Sequence, residues 1–296
     1  MAGAALGYAR RATALGATRA TVAAAYGVGI AVAALYVQHP LMLASLLTAV
    51  IVSGVLANCW RAMLLTLRWT LLPLVLTTVV INAIVSREGL TVVARLGEWG
   101  PLGQVNVTLE AIVYGLVYAL RLVIVALAFV LVYCSADPDE LLLASRRLAP
   151  RSALAALLGT RLMPVLAADA RRLADAQRCR SRQPSKSRGR ALVVRAGVRG
   201  AIDRSLDAAA VLEMRGFGDP RRPPRAHHPR SRHDIAFIFA TAVILAAAIV
   251  SNALPGSHFS AYPLVSVAVT APLVLLCLVT VTASVLPFLD RRGVVR

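Results

Sequence analysis

Lysine is almost missing from this 296-residue chain: Lys186 is the single example, and arginine supplies the rest of the 32 basic residues. Lys186 stands in Pro184-Ser185-Lys186-Ser187 with no glycine in the preceding loop. A phosphate-binding loop needs a Gly-Lys-Ser/Thr cradle, so no nucleotide site of that kind is present and ATP-driven work needs another subunit. Acids are scarce as well, 14 against 32 bases, and only 16% of residues are charged, below the roughly 25% of a soluble domain. Aromatics make up 5% and are not interleaved with the basic residues, which argues against a nucleic-acid surface. The four cysteines, Cys59, Cys134, Cys179 and Cys277, show no CxxC or Cys/His spacing. They read as small hydrophobes rather than disulfide partners or metal ligands.

What the chain does have is apolar bulk: 58% AVILMFWYC and a mean hydropathy of +0.70. A soluble enzyme, a disordered tail and a secreted disulfide scaffold are all excluded by that composition. Together with a formal charge of +18, it requires charge and apolar residues to be segregated, as in a polytopic membrane protein. A bilayer core of about 30 Å takes roughly 20 apolar helical residues, and six segments qualify, near 21–37, 39–57, 63–86, 107–134, 235–253 and 262–289. The first two are short and meet at Gln38-His39-Pro40, which predicts a tight helical hairpin or a re-entrant segment.

Arginine placement sets the orientation. Arg10, Arg11 and Arg19 precede the first span, Arg61 follows the second, and Arg291, Arg292 and Arg296 close the chain. Residues 135–234 hold 21 of the basic residues and 10 acids, whereas the loops left for the other side, 87–106 and 254–261, carry only Arg87 and Arg95. Both termini and the large loop are therefore expected in the cytoplasm of a plasma membrane. The preference for arginine over lysine, with abundant alanine and valine, points to a GC-rich, bacterial source. Within the spans, Arg68 is close enough to the cytoplasmic boundary to snorkel. Arg121 falls near the middle of the fourth span, where charge is costly. Glu110 shares its helical face but lies about 16 Å away along the axis, so Arg121 reads either as a packing anchor with another partner or as part of a functional surface. No second intramembrane acid or histidine supports an ion pathway.

The expected fold is all-α: about six transmembrane helices plus two long cytoplasmic helices. It divides into a four-span region 1–134, a cytoplasmic region 135–234 and a two-span region 235–296. Asp137 reads as an N-cap with Pro138 at the first helical position. One cytoplasmic helix is predicted from Ser152 to Arg180, with Leu162, Leu166, Ala170 and Leu173/Ala174 as its apolar stripe and Pro164 as a kink or break. Ser181–Gly189 reads as an exposed basic loop. A second helix is predicted from Ala191 to Arg215, with Val198, Ile202, Leu206 and Ala209/Ala210 on one side, ended by Gly216 in a left-handed C-cap and by Pro220. Ala167, Ala168, Ala170 and Ala174 on the first and Ala208, Ala209 and Ala210 on the second suit a close crossing. His227, His228 and His233, set among Arg and Pro, read as a solvated loop rather than a metal site.

Both helices end in arginine within Asp175-Ala-Gln-Arg-Cys-Arg-Ser181 and Leu212-Glu-Met-Arg-Gly-Phe-Gly218. These ends, with Ser135-Ala-Asp-Pro-Asp-Glu-Leu141 and Arg161-Leu-Met-Pro164, resemble the transmembrane coupling (T) component of energy-coupling-factor transporters, the CbiQ-like family. The resemblance covers roughly 20–290 and is most specific over 135–220. In that family two coupling helices end in Ala-Arg-Gly-like triplets that seat on a pair of ABC ATPases. The triplets correspond to Cys179-Arg180-Ser181 and Met214-Arg215-Gly216. Cys179 and Met214 depart from the family's alanine and Ser181 from its glycine, while both arginines match. The resemblance implies a non-catalytic subunit with no cofactor of its own, joining two ATPases, alike or different, to a separate substrate-binding membrane (S) component for vitamin or metal uptake. A conventional ABC importer permease is the alternative, but it would carry one short coupling loop rather than a pair of long helices.

Overall fold

The computed structural model describes residues 13–85, 91–98, 104–145, 149–179, 186–216, 231–255, 259–260 and 266–290. Two compact units emerge, one from Met1–Leu141 with Arg230–Arg296, the other from Leu142–Pro229. The first contains the apolar helices: α1 (Ala20–Tyr36), α2 (Pro40–Leu56), α3 (Trp60–Val85), α4 (Leu109–Ser135), α8 (Arg232–Ala253) and α9 (Ala271–Leu289). Four of them, α3, α4, α8 and α9, are long and apolar enough to cross a bilayer. The α1–α2 hairpin has 17 residues per helix, about 26 Å at 1.5 Å per residue. The chain is an all-α polytopic membrane protein.

Helix α1 sits at the centre, packed against α4 and α8, while α2 packs on α9 and α4. Glycine makes the first contact possible. A Cβ on Gly27 would collide with Val132 and come within 3.1 Å of the Ala128 carbonyl oxygen on α4. An edge-on aromatic chain ties α1 to α8 and α9: Tyr26 to Phe237 at 5.2 Å, and Phe237 to Phe288 at 5.1 Å. The buried Tyr26 hydroxyl finds Ser53 of α2 at 2.8 Å, as a buried phenol must find a partner.

Both ends of α1 are capped by other parts of the chain. At its N-terminus Arg19 is extended and supplies no side-chain cap, so the free N–H groups of the first turn need outside acceptors. Arg19 N donates to Asp234 Oδ1 at 3.0 Å and Ala20 N to Glu140 Oε2 at 3.2 Å. Asp234 also lies 3.6 Å from Arg19 Nε and closes a capping box with Ser231 at the start of α8. Glu140 lies in the short helix α5 (Pro138–Ser145), whose start is capped as expected, with Asp139 N donating to Asp137 Oδ1 at 2.9 Å. At the C-terminus of α1, Arg121 Nη2 donates to the Val37 carbonyl at 2.9 Å, and its guanidinium lies 4.9 Å from the Tyr118 ring centroid. Arg121 is therefore a packing anchor whose partner is a backbone carbonyl. Asn252 Nδ2 donates to the Tyr36 carbonyl at 2.8 Å, and His39 Nε2 contacts the Ala268 carbonyl at 3.1 Å.

Three expectations for the spans need correction. Residues 87–106 contain more than loop: β1 (Val92–Glu98) and β2 (Gln104–Thr108) pair antiparallel with irregular register. The β-branched residues Val92, Val93, Val105, Val107 and Thr108 favour that state. The last helix begins at Ala271 rather than 262. Ahead of it Phe259–Ser260 (β3) pairs with Ser266–Val267 (β4), and Pro272 takes the first helical turn. Helix α3 is interrupted by a π-turn at Leu67–Leu71. It lies just before Pro73, which has no N–H to give and whose ring crowds the preceding turn.

Candidate functional site

The second unit is built on two helices of 29 residues each, α6 (Pro150–Arg178) and α7 (Lys186–Met214). Helix α6 runs unbroken through Pro164, which removes one hydrogen bond without ending the helix. Helix α7 starts at Lys186, so the end of the stretch read as a basic loop is already helical. On α6 the half-buried positions include Leu162, Leu166, Asp169, Ala170, Leu173 and Ala174, the expected stripe. On α7 the outcome is reversed. Val198, Ile202 and Leu206 are exposed by 53–64%, and the half-buried positions are Gly189, Val193, Gly197, Gly200, Ala201, Arg204, Ala208 and Leu212. The packed face is the small one. Of the alanines expected at the crossing, Ala170, Ala174 and Ala208 are half-buried, and Ala167, Ala168, Ala209 and Ala210 are exposed.

One ion pair pins the two helices together. Arg204 Nη2 of α7 lies 2.5 Å from Asp169 Oδ2 of α6, and Asp169 also meets Arg172 at 3.8 Å. From that bridge α6 continues for about 14 Å to Arg178 and α7 for about 15 Å to Met214. Cys179 and Lys186 are joined by at most about 25 Å of extended chain, whereas a parallel pair bridged at Asp169 and Arg204 would set them about 42 Å apart. The helices therefore run antiparallel, and their C-termini point away from the bridge in opposite senses, on the order of 25–30 Å apart.

Each of the six site residues has a definite status. Cys179 is exposed at the C-cap of α6, with its N–H on the Asp175 carbonyl at 3.2 Å. Arg180 and Ser181 lie outside the described residues. Arg178, one residue earlier, is exposed and lies 3.3 Å from Asp175. At the end of α7 Met214 is 79% exposed and Arg215 is exposed. Arg215 N donates to the Val211 carbonyl at 3.1 Å, and Gly216 N to the Glu213 carbonyl at 2.8 Å. Gly216 has φ +68°, with nothing within 4 Å of where a Cβ would stand. The left-handed cap requires glycine for its backbone. Among the described residues Arg215 forms no ion pair, and no cluster of three His, Cys, Asp or Glu could hold a metal. His227 and His228 lie outside the described residues, and His233 is buried in the first turn of α8. Sequence reasoning missed Asp169 and Arg204; a lone acid and a lone base 35 residues apart on separate helices leave no local signal.

A family model described as the cobalt transport protein CbiQ matches residues 18–225. The chain belongs to the CbiQ family. No curated protein matches it. The matched span takes in α1 through α7, and so both long helices and their arginine ends. CbiQ proteins form a family of membrane transport proteins rather than a catalytic one.

Proposed function

We propose that this CbiQ-family protein is the non-catalytic transmembrane subunit of an energy-coupling-factor importer. It couples ATP hydrolysis by two partner ABC-type ATPases to a separate substrate-binding membrane protein, for uptake of a metal ion such as cobalt or of a vitamin. The observation that carries this reading is the pair of 29-residue helices, α6 and α7, bridged at Asp169 and Arg204 within a CbiQ-family chain. A chain without a nucleotide loop has to receive energy mechanically. Two separated, charged helix ends are suited to two ATPase grooves. Arginine fits that task because its planar fork stays charged and bonds bidentately to carboxylates or carbonyls. Both termini and residues 135–234 would then be cytoplasmic, with Cys179, Arg180 and Ser181 at one contact and Met214, Arg215 and Gly216 at the other.

The test replaces Arg180 and Arg215 by alanine and by lysine, singly and together, and measures co-purification with the ATPases and uptake in cells at matched expression. Removing one side of a buried, hydrogen-bonded charge pair costs on the order of 2–5 kcal/mol, a weakening of assembly of roughly 30-fold or more. Arg215→Ala should be the more damaging single change, because Gly216 admits a partner backbone. Full uptake by the double alanine variant would mean that the arginines only cap their helices, an effect of about 0.3–1 kcal/mol.

A further inference from the structure

Between the N-terminal end of α8 and the C-terminal end of α9 lies a half-open cavity of about 260 Å³, whose lining includes Arg232, Phe239, Val243, Leu286 and Asp290. It exists because Ala236, Ala240 and Ala283 stop at Cβ where the two helices face each other, while Phe239 and Leu286 project past them and are 69% and 62% exposed. The walls are apolar for about 10 Å of helix, from Ala236 to Val243. The charged residues gather at one end. The volume falls below the roughly 300 Å³ of a typical small-molecule pocket, and the exposed Phe239 and Leu286 stand at its side.

We infer that this groove is a binding site for an anionic phospholipid, one acyl chain lying along Phe239, Val243 and Leu286 and the phosphate at Arg232. Charge decides the lipid class. Arg232 is exposed and, among the described residues, forms no ion pair. Of the two acids nearby, Asp234 is engaged by Arg19 and Asp290 has a partner of its own. In the sequence Arg230 stands two residues before Arg232, and Arg291 and Arg292 follow Asp290, so the segments that lead into α8 and out of α9 carry three further cations. Basic pockets between membrane helices select anionic head groups in this way. The inference holds whether or not the protein couples to ATPases, because it concerns only the membrane unit.

The experiment uses the full chain with Trp60, Trp69 and Trp99 replaced by phenylalanine and one reporter, Phe239→Trp, in phosphatidylcholine vesicles. Brominated phosphatidylglycerol or brominated phosphatidylcholine then quenches the reporter. Phosphatidylglycerol should bind about fivefold more tightly than phosphatidylcholine at this position. The preference should vanish in Arg232→Gln and be absent at a control reporter, Val250→Trp, near the other end of α8. Leu286→Trp serves as a second reporter should Phe239→Trp fail to insert. Equal quenching by the two lipids, or a preference that survives Arg232→Gln, would overturn the proposal. Quenching by neither would overturn it too, showing the groove covered by protein.

Discussion

The two units of this protein hold together by different means. The membrane unit buries an aromatic chain through Tyr26, Phe237 and Phe288, closes α1 onto α4 at a glycine, and caps both ends of α1 with side chains from distant segments. In the unit made by α6 and α7, no described residue is fully buried. Among the described residues one ion pair, Asp169–Arg204, joins its helices, and an apolar row, Val194, Val198, Ile202 and Leu206, is exposed. A two-helix pair with one packed face obtains little stability from burial. The membrane unit supplies its own cohesion; the helical pair leaves its apolar row exposed.

The largest effect on that contrast is expected at Asp234, whose carboxylate is 4% exposed and serves Arg19 and Ser231 together. Asp234→Ala removes the shared acceptor of the Arg19 and Ser231 N–H groups together with one contact of the Arg19 guanidinium, at a cost of roughly 1–3 kcal/mol. The same change at the exposed Asp175 should cost no more than about 0.5 kcal/mol. Thermal unfolding in detergent checks both, and equal losses at the two sites would remove the distinction. Next comes one substitution with opposite signs in the two units. Gly27→Ala forces a Cβ against Val132 and the Ala128 carbonyl and should destabilise by about 1–3 kcal/mol. Gly197→Ala meets nothing within 4 Å, so it should add roughly 0.5–1 kcal/mol of helix stability.

The smallest effect is a pH dependence at His39, in the turn between α1 and α2. Burial holds its imidazole below the ordinary histidine value, opposed by the Ala268 carbonyl. Its Nδ1 accepts the Leu41 N–H at 3.3 Å, which a protonated ring cannot do. The unfolded chain binds this proton more readily, so the stabilisation is complete above the unfolded value near 6.5 and declines as pH falls through and below it. The melting temperature should drift downward over that range, and His39→Asn should flatten the drift.

Much of this was legible in the sequence, and what was not has definite causes. The Asp137–Pro138 start, the left-handed Gly216 and the apolar segments follow from local rules, and each is in place. The packing face of α7 was misread because amphipathicity singles out the most apolar stripe, whereas the face turned inward is the one that carries Arg204, whose bridge to Asp169 sets the rotation of the helix. The anchor of Arg121 could not be found by searching for acids, since its partner is a carbonyl 84 residues away. Pro164 failed to break α6, and the β-branched residues before Ala271 delayed α9. In each case one local signal was outweighed by the rest of its segment.

The capping of α1 also bears on how the chain reaches the membrane. Each of these side-chain groups is made after the helix: Arg121 stands 84 residues beyond the backbone group it caps, and Asp234 and Asn252 stand 215 and 216 residues beyond theirs. A nascent chain that has emerged only through α2 therefore exposes an arginine-flanked helix with open N–H groups at one end and an open carbonyl at the other. Insertion of α1 is finished only when α8 arrives. The α1–α2 hairpin has to be sheltered by the insertion machinery until α8 has been made.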